Sequence, residues 1–276
     1  MNRWNTRVTI GFLIVLVGAL VAGGFGAFYF LVGMPQVGII TLEGSISTSR
    51  ADRLAQELRY AEEERNIRAV VLRIDSPGGS VAPVEDIYAN VLRLAKQKPL
   101  VVVMEEVAAS GGYFAALGAN YIFAKPTSIV GNIGVILRLP EEELPSEREL
   151  TTGPYKSQGA SRAGYIRKTE VVKEGFVGAV IHQRGERLKA SREELSKGEI
   201  YLGIEALELG LVDGIGTATD AMEKAAELAR LVRYQVVDVR RELAAKEKSR
   251  YGATTPDLPL PVVSEASWPR YYYLVK

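Results

Sequence analysis

The sequence predicts an α/β fold held behind a single N-terminal transmembrane helix. Two observations carry this. An uncharged apolar run opens the chain, and β-branched runs then alternate with segments of helical period. A third gives the fold a function: glycine-bearing turns follow several of the apolar runs, so bare backbone is presented at strand ends. The chain divides into a short N-terminus (1–7), an anchor (8–32), an α/β domain (37–249) and a Pro- and aromatic-bearing tail (250–276).

The anchor reads "VTIGFLIVLVGALVAGGFGAFYFLV" and carries no charge. As a helix it spans roughly 37 Å, more than the ~30 Å hydrocarbon core, so it crosses with some tilt. Arg3 and Arg7 precede it and the first charge after it is Glu43. The positive-inside rule puts the N-terminus in the cytoplasm and the rest outside the cell membrane. A cleaved signal peptide is the rival reading, with small residues at Ala22 and Gly23. Its apolar region is usually only about 7–15 residues long, which favours an uncleaved anchor.

Beyond the anchor, "VGIITLEG" (37–44) reads as a strand. In the next segment Leu54, Leu58 and Ala61 fall at helical spacing, with Ser49 as N-cap. "IRAVVLRID" is a strand and "VEDIYANVLRLAK" a helix with Ile87, Val91 and Leu94 on one face. "PLVVVMEE" and "SGGYFAALGA" repeat the strand–helix pattern, and "YIFAKPTSIVGNIGVI" holds two short strands about a turn. Apolar strands of this kind belong to a sheet covered on both faces. The Pro- and Glu-rich stretch after Leu137 reads as a surface loop. "VVKEGFVGAVIHQRGERLKA" reads as an amphipathic helix, "YQVVDV" as a last strand and "RRELAAKEKS" as a last helix. The tail is extended, its aromatics docking on this subunit or a neighbour.

Composition narrows the chemistry. With 34 basic and 33 acidic residues, net charge is +1 and there is no electrostatic case for nucleic acid. There is no cysteine and one histidine, His182. Disulfides, thiolate catalysis and His-rich metal sites are excluded, leaving serine, lysine and carboxylates. The mechanism needs no metal or cofactor. His182 falls inside an amphipathic helix, away from any loop.

Ser110, in "ASGGY", ends a strand and begins a helix. A serine there is ordinarily an N-cap, but unpaired amides at a helix start can also stabilise a developing oxyanion. The bare turn "PGG" (77–79) ends a neighbouring strand. With no imidazole at hand, a lysine is the remaining general base. An ordinary lysine, pKa about 10.4, is neutral in only about one molecule in 2,500 at pH 7. A base lysine must therefore lie where burial disfavours its charge. Lys156, in "LTTGPYKSQGASRAG", follows a short strand-like piece among small polar residues, but composition alone does not single it out.

The motifs "RIDSPGGSV", "ASGGYFAA", "PTSIVGNIGVI", "GPYKS" and "IYLGIEALELGLVDGIG" occur in an order and at a spacing that resemble the signal peptide peptidase A family. That family comprises membrane-bound serine proteases of the Clp protease/crotonase superfamily, and the likeness runs from about Val37 to Arg230. The resemblance implies a Clp protease/crotonase-like fold and a Ser-Lys dyad, with Ser110 as nucleophile and Lys156 as general base. It implies an oxyanion hole at Gly79 and Gly111. At the "GNIGV" turn the family has a lysine-orienting serine where this chain has Asn132, whose carbonyl can accept the same bond. The segment between Ile136 and Lys156 is shorter than the family commonly carries. The resemblance further implies a homo-oligomeric ring in which Lys156 serves its own chain or a neighbour. Its substrates would be signal peptides, membrane-protein fragments or unfolded peptides, with small or apolar residues at the scissile bond. Two other readings use the same fold: a crotonase-like acyl-thioester enzyme, and a catalytically silent membrane scaffold.

Overall fold

The computed structural model describes Leu13 and residues 16–19, 34–139, 152–156, 159–251 and 271–274. The anchor run lies outside these residues except for Leu13 and 16–19, which are helical. Among the described residues no helix is long and apolar enough to cross a membrane. Most of the Glu-rich loop and most of the tail also lie outside them.

The main sheet is built on parallel strands. β1 (Gln36–Glu43), β2 (Ile67–Ser76), β4 (Leu100–Ala109), β5 (Tyr121–Ala124), β9 (Gly214–Ile215) and β10 (Gln235–Asp238) run in the order β10-β1-β2-β4-β5-β9. β6 (Ile129–Gly131) extends the end of β4 in parallel, and the short β8 (Ile200–Leu202) joins β6 antiparallel. A second, three-stranded sheet holds β3 (Gly78–Ser80), β7 (Ile136–Leu137) and β11 (Tyr271–Leu274).

The continuous apolar runs of β2 and β4 follow from burial on both faces. Val70, Leu72 and Ile74 of β2, with Leu100, Val102 and Met104 of β4, enter one core. Ala69, Val71, Val101 and Val103, the residues between them, enter the other. Side chains alternate across a strand, so neither set can be polar.

Helices α1 (Thr48–Glu63), α2 (Val81–Ala95), α3 (Gly111–Ala116) and α4 (Arg162–Arg184) contribute to the larger core. Short helices α5 (Arg192–Leu195) and α6 (Gly203–Glu208) follow, α7 (Ala218–Leu228) covers the other face, and α8 (Val239–Tyr251) flanks β1. The expected faces are in place: Leu54, Leu58 and Ala61 of α1, and Ile87, Val91 and Leu94 of α2, are buried.

Several boundaries differ from the sequence reading. The N-cap position of helix α1 is Ser47, whose side chain makes no capping hydrogen bond, and Ser49 lies inside the first turn. Helix α2 starts at Val81, ahead of Pro83, because proline is tolerated in a first turn whose N–H groups are unpaired anyway. Helix α4 starts at Arg162, where Ser161 Oγ accepts the Gly164 N–H at 3.0 Å, and stops at Gly185, whose φ is +52°. The piece before Lys156 is a bend and turn, not a strand.

Candidate active site

The C-terminal ends of β2, β4 and β6 lie at one edge, where parallel sheets commonly present ligand-binding loops. Ser110 follows β4 directly. Its N–H donates to Gly131 O at 2.7 Å, which ties the turn to the end of β6 and brings Asn132 next to that contact. The same turn is held from the other side by β2. A Cβ on Gly112 would lie 2.5 Å from Ser76 O, so only glycine lets the first turn of α3 approach the strand this closely.

Ser110 is the N-cap residue of α3, yet its side chain makes no capping hydrogen bond. Its backbone has φ +52° and ψ −119°, and the residue is only 1% exposed. A non-glycine residue held this way stores on the order of 1–3 kcal/mol, retained only where the surroundings enforce it. The ordinary reason for a serine at a helix start is therefore missing. The geometry is instead that of a strained strand-to-helix turn whose hydroxyl is not spent on its own helix.

The PGG turn lies beside it. Gly78 has φ +98°, and its N–H donates to Ser76 Oγ at 3.2 Å. Ser76 Oγ donates in turn to Gly44 O at 2.7 Å. Sequence reading missed this buried serine, although its place just before Pro-Gly-Gly was a visible cue. Gly79 is fixed by β-pairing with Ile46, and a Cβ there would fall 2.0 Å from Ile46 O. Strand β3 also packs against α3, whose first residue is Gly111. Ser76→Ala removes both hydroxyl bonds and leaves the turn to its backbone bonds with Ile46. It is expected to destabilise the fold by about 1–3 kcal/mol and to lower kcat more than it raises KM, as read from urea melts and peptide kinetics.

Asn132 has φ +52°; its N–H donates to Glu199 O at 2.7 Å and its Nδ2 to Gly198 O at 2.8 Å. With the amide nitrogen engaged, Oδ1 is the acceptor left for a partner. Lys156 is placed differently. It lies exposed at a turn, its N–H 3.4 Å from Gly153 O, and no described contact joins it to Ser110. His182 is exposed on α4.

Behind α3 lies a polar network that sequence reading did not find. Arg184, 2% exposed at its side chain, forks onto Asp213 with bonds of 2.7 and 3.0 Å and also donates to Gly210 O at 2.8 Å. Arg187 reaches the same carboxylate at 2.9 Å, and Asp213 accepts the Ile122 N–H at 2.8 Å. The Tyr113 hydroxyl donates to Leu211 O at 2.8 Å, and burial pushes the phenol well above its usual range. This braces the rear of α3 against the "LGLVDG" loop. Along β4, burial alone would raise the Glu105 carboxyl, but hydrogen bonds from Lys125 and Arg73 outweigh it and hold the carboxyl below its usual value.

A buried serine on a strained strand-to-helix turn, beside glycine-bearing turns at the edge of a parallel sheet, is an arrangement that serine-nucleophile hydrolases use. The sequence comparisons narrow the class. The model of peptidase family S49 matches residues 93–232, and that of Clp protease matches 30–130. A Synechocystis protein provisionally named as a protease is 32% identical over 209 residues, covering 71% of this chain and 75% of that one. Protease 4 of Haemophilus influenzae is 30% identical over 213 residues, covering 70% and 35% of the two chains. The chloroplastic serine protease SPPA of Arabidopsis thaliana is 27% identical over 253 residues, covering 82% and 36%. The chain thus spans about a third of these last two relatives and three quarters of the first. The chain belongs to peptidase family S49, and its resemblance to the signal peptide peptidase A proteins is borne out.

Proposed function

We propose that this chain is a membrane-anchored serine endopeptidase in which Ser110 is the nucleophile and Lys156 the general base. The observation that carries the reading is Ser110 itself: buried, strained, capping nothing, and next to bare glycine backbone. Ser110 Oγ attacks the scissile carbonyl while its proton passes to the neutral Lys156 amine. The oxyanion takes the N–H groups of Gly79 and Gly111. As the carbonyl re-forms, the leaving amine takes the proton back from Lys156. Water then attacks the acyl ester with Lys156 accepting its proton, and Ser110 is regenerated. Asn132 Oδ1 accepts a hydrogen bond from the lysine amine and sets its direction.

A lysine works as a base only where its surroundings disfavour the ammonium. Lys156 is exposed in the single chain, so a second copy has to cover it, and the base then serves the neighbour's serine. The anchor at 8–32 would hold such a ring against the outer membrane surface. Signal peptides and membrane-protein fragments are the substrates this position favours, in line with the signal peptide peptidase SppA name given to an Enterococcus faecium relative.

The test is complementation. Ser110→Ala and Lys156→Ala are each expected to lose at least about a thousandfold in kcat, and unfolding and refolding them together should restore a substantial fraction. Full activity of Lys156→Ala would remove the lysine from the mechanism. Two inactive variants that fail to rescue one another would place the dyad within one chain.

A further inference from the structure

Strand β10 pairs with only the first half of β1, from Gln36 to Ile39. Beyond Ile39 the outer edge of β1 has no strand beside it among the described residues, and the chain passes from β10 straight into α8. A cleft of about 600 Å³ opens there, between the end of β1, the first two turns of α1 and the start of α8. Its size is that of a small-molecule site, but such sites are mostly apolar. This one holds, beside Thr41 and Glu43, four arginines: Arg50 and Arg53 of α1, Arg73 of β2 and Arg240 of α8. Guanidiniums gathered in one cleft repel one another, so each is expected to have a carboxylate. Two of them do. Arg73 Nε donates to Glu105 Oε1 and Arg240 Nε to Glu57 Oε1, both at 2.7 Å. Glu105 is shared with Lys125, which leaves that group with a positive charge in excess. Arg50 and Arg53 make no ion pair among the described residues. Arg50 Nη1 donates to Ser45 O, and Arg53 is exposed with no described hydrogen bond. Glu43 is the one carboxylate in the lining, and α1 places no acid in its first turn to offset its positive end.

We propose that this cleft is a binding site for a phosphate group, carried by a soluble phosphate or by a lipid headgroup. The donors present suit that ligand. A guanidinium offers its N–H groups as a planar fork that matches phosphate oxygens in pairs, and such charge-assisted bonds are the strong ones. Arg73 and Arg240 spend only Nε on their carboxylates, and their Nη groups make no described hydrogen bond. Arg53 has its whole fork to offer. A carboxylate is filled by one or two forks, whereas the several oxygens of a phosphate can take bonds from arginines on different walls. The cleft is also larger than a bare phosphate needs, which leaves room for the organic part of an ester. The site is separate from Ser110. Only the segment Gly44–Ile46 stands between it and the PGG turn: Gly44 O accepts the Ser76 hydroxyl, and Ile46 is bridged to Gly79.

Calorimetric titration of the full-length protein in a neutral detergent tests this, with ionic strength held constant by sodium chloride. Two probes separate the sources: inorganic phosphate, and the short-chain lipid dihexanoyl phosphatidylglycerol, whose headgroup is a phosphodiester. Wild type is compared with Arg50→Gln, Arg53→Gln and Arg59→Gln, each checked for folding by circular dichroism. Arg53→Gln breaks no described bond, and Arg59, exposed on the same helix outside the cleft, controls for charge alone. Saturable binding at one site per chain is expected, weakened at least about tenfold by Arg50→Gln and by Arg53→Gln, the loss of one charge-assisted bond. Arg59→Gln should bind as wild type does. Tighter binding of inorganic phosphate would assign the site to a soluble ligand, and tighter binding of the diester to a membrane lipid; either supports the site. No saturable binding of either probe would overturn the proposal. So would cleft variants that bind like wild type, or a loss in Arg59→Gln as large as theirs, which would mark general charge attraction.

Discussion

Ser110→Ala is expected to lower kcat/KM for peptide hydrolysis by at least about a thousandfold, a loss of about 4 kcal/mol of transition-state stabilisation, while barely changing stability. The combination matters more than either half. If Ser110 were an ordinary N-cap, alanine would destabilise the protein by about 0.5–2 kcal/mol and leave any activity intact. Ser110 Oγ caps nothing, however, so α3 loses no hydrogen bond when it is removed. The main-chain strain at φ +52° is the same for serine and alanine, and the Ser110 N–H to Gly131 O bond belongs to the backbone. Urea melts should agree within about 0.5 kcal/mol, with the peptide assay run on the same preparations. A stable, inactive variant identifies a nucleophile. An active variant of lowered stability identifies a cap.

The largest stability effect is expected at Arg184. Arg184→Ala should destabilise the protein by about 3–5 kcal/mol, because it leaves the Asp213 carboxylate buried without its main counter-charge. Asp213 is 6% exposed, and Gly210 O loses its donor as well. Arg187 still reaches Asp213, but it is half-exposed and offers one bond where Arg184 offers a fork. Arg184→Lys should recover only part of the loss, since an ammonium cannot reproduce the two parallel bonds. The effect reaches the candidate site because Asp213 anchors both β5, through Ile122, and the loop whose Leu211 carbonyl holds Tyr113 of α3. Chemical denaturation of the three proteins measures the loss directly.

These two residues show where sequence was informative. Ser110 was legible because a strand of β-branched residues ends in alanines, and the following glycines permit the tight approach seen at Gly112. Strands β2 and β4 were legible because burial on both faces excludes polar residues, whatever the topology. Arg184 was not legible: its partner Asp213 lies in a separate loop, and an arginine near a helix end ordinarily reads as solvated. The start of α4 was missed because the helix face at Ile166 and Val171 is exposed and has no clean apolar period. Helix α1 was placed correctly but its cap was not, because Ser47 and Ser49 both precede the first buried residue, Ala51. The pairing of β11 with β3 joins the tail to a turn far away in the sequence, and nothing local to either announces it. The positive φ of Ser110 and Asn132 is likewise a product of their surroundings.

The proposed dyad divides in the same way. Ser110, Gly111 and Asn132 come together within one chain through the β4–β6 pairing, and β3 brings Gly79 against α3. Lys156 stays exposed at its turn, and no described contact joins it to them.

Covalent labelling tests the central claim most directly. The full-length protein is treated with a fluorophosphonate probe, digested, and the modified residue located by mass spectrometry. A single adduct on Ser110, absent from Ser110→Ala and formed in step with loss of peptide hydrolysis, is the predicted result. An adduct on another serine, or full peptidase activity in a preparation that takes no label, would contradict the account.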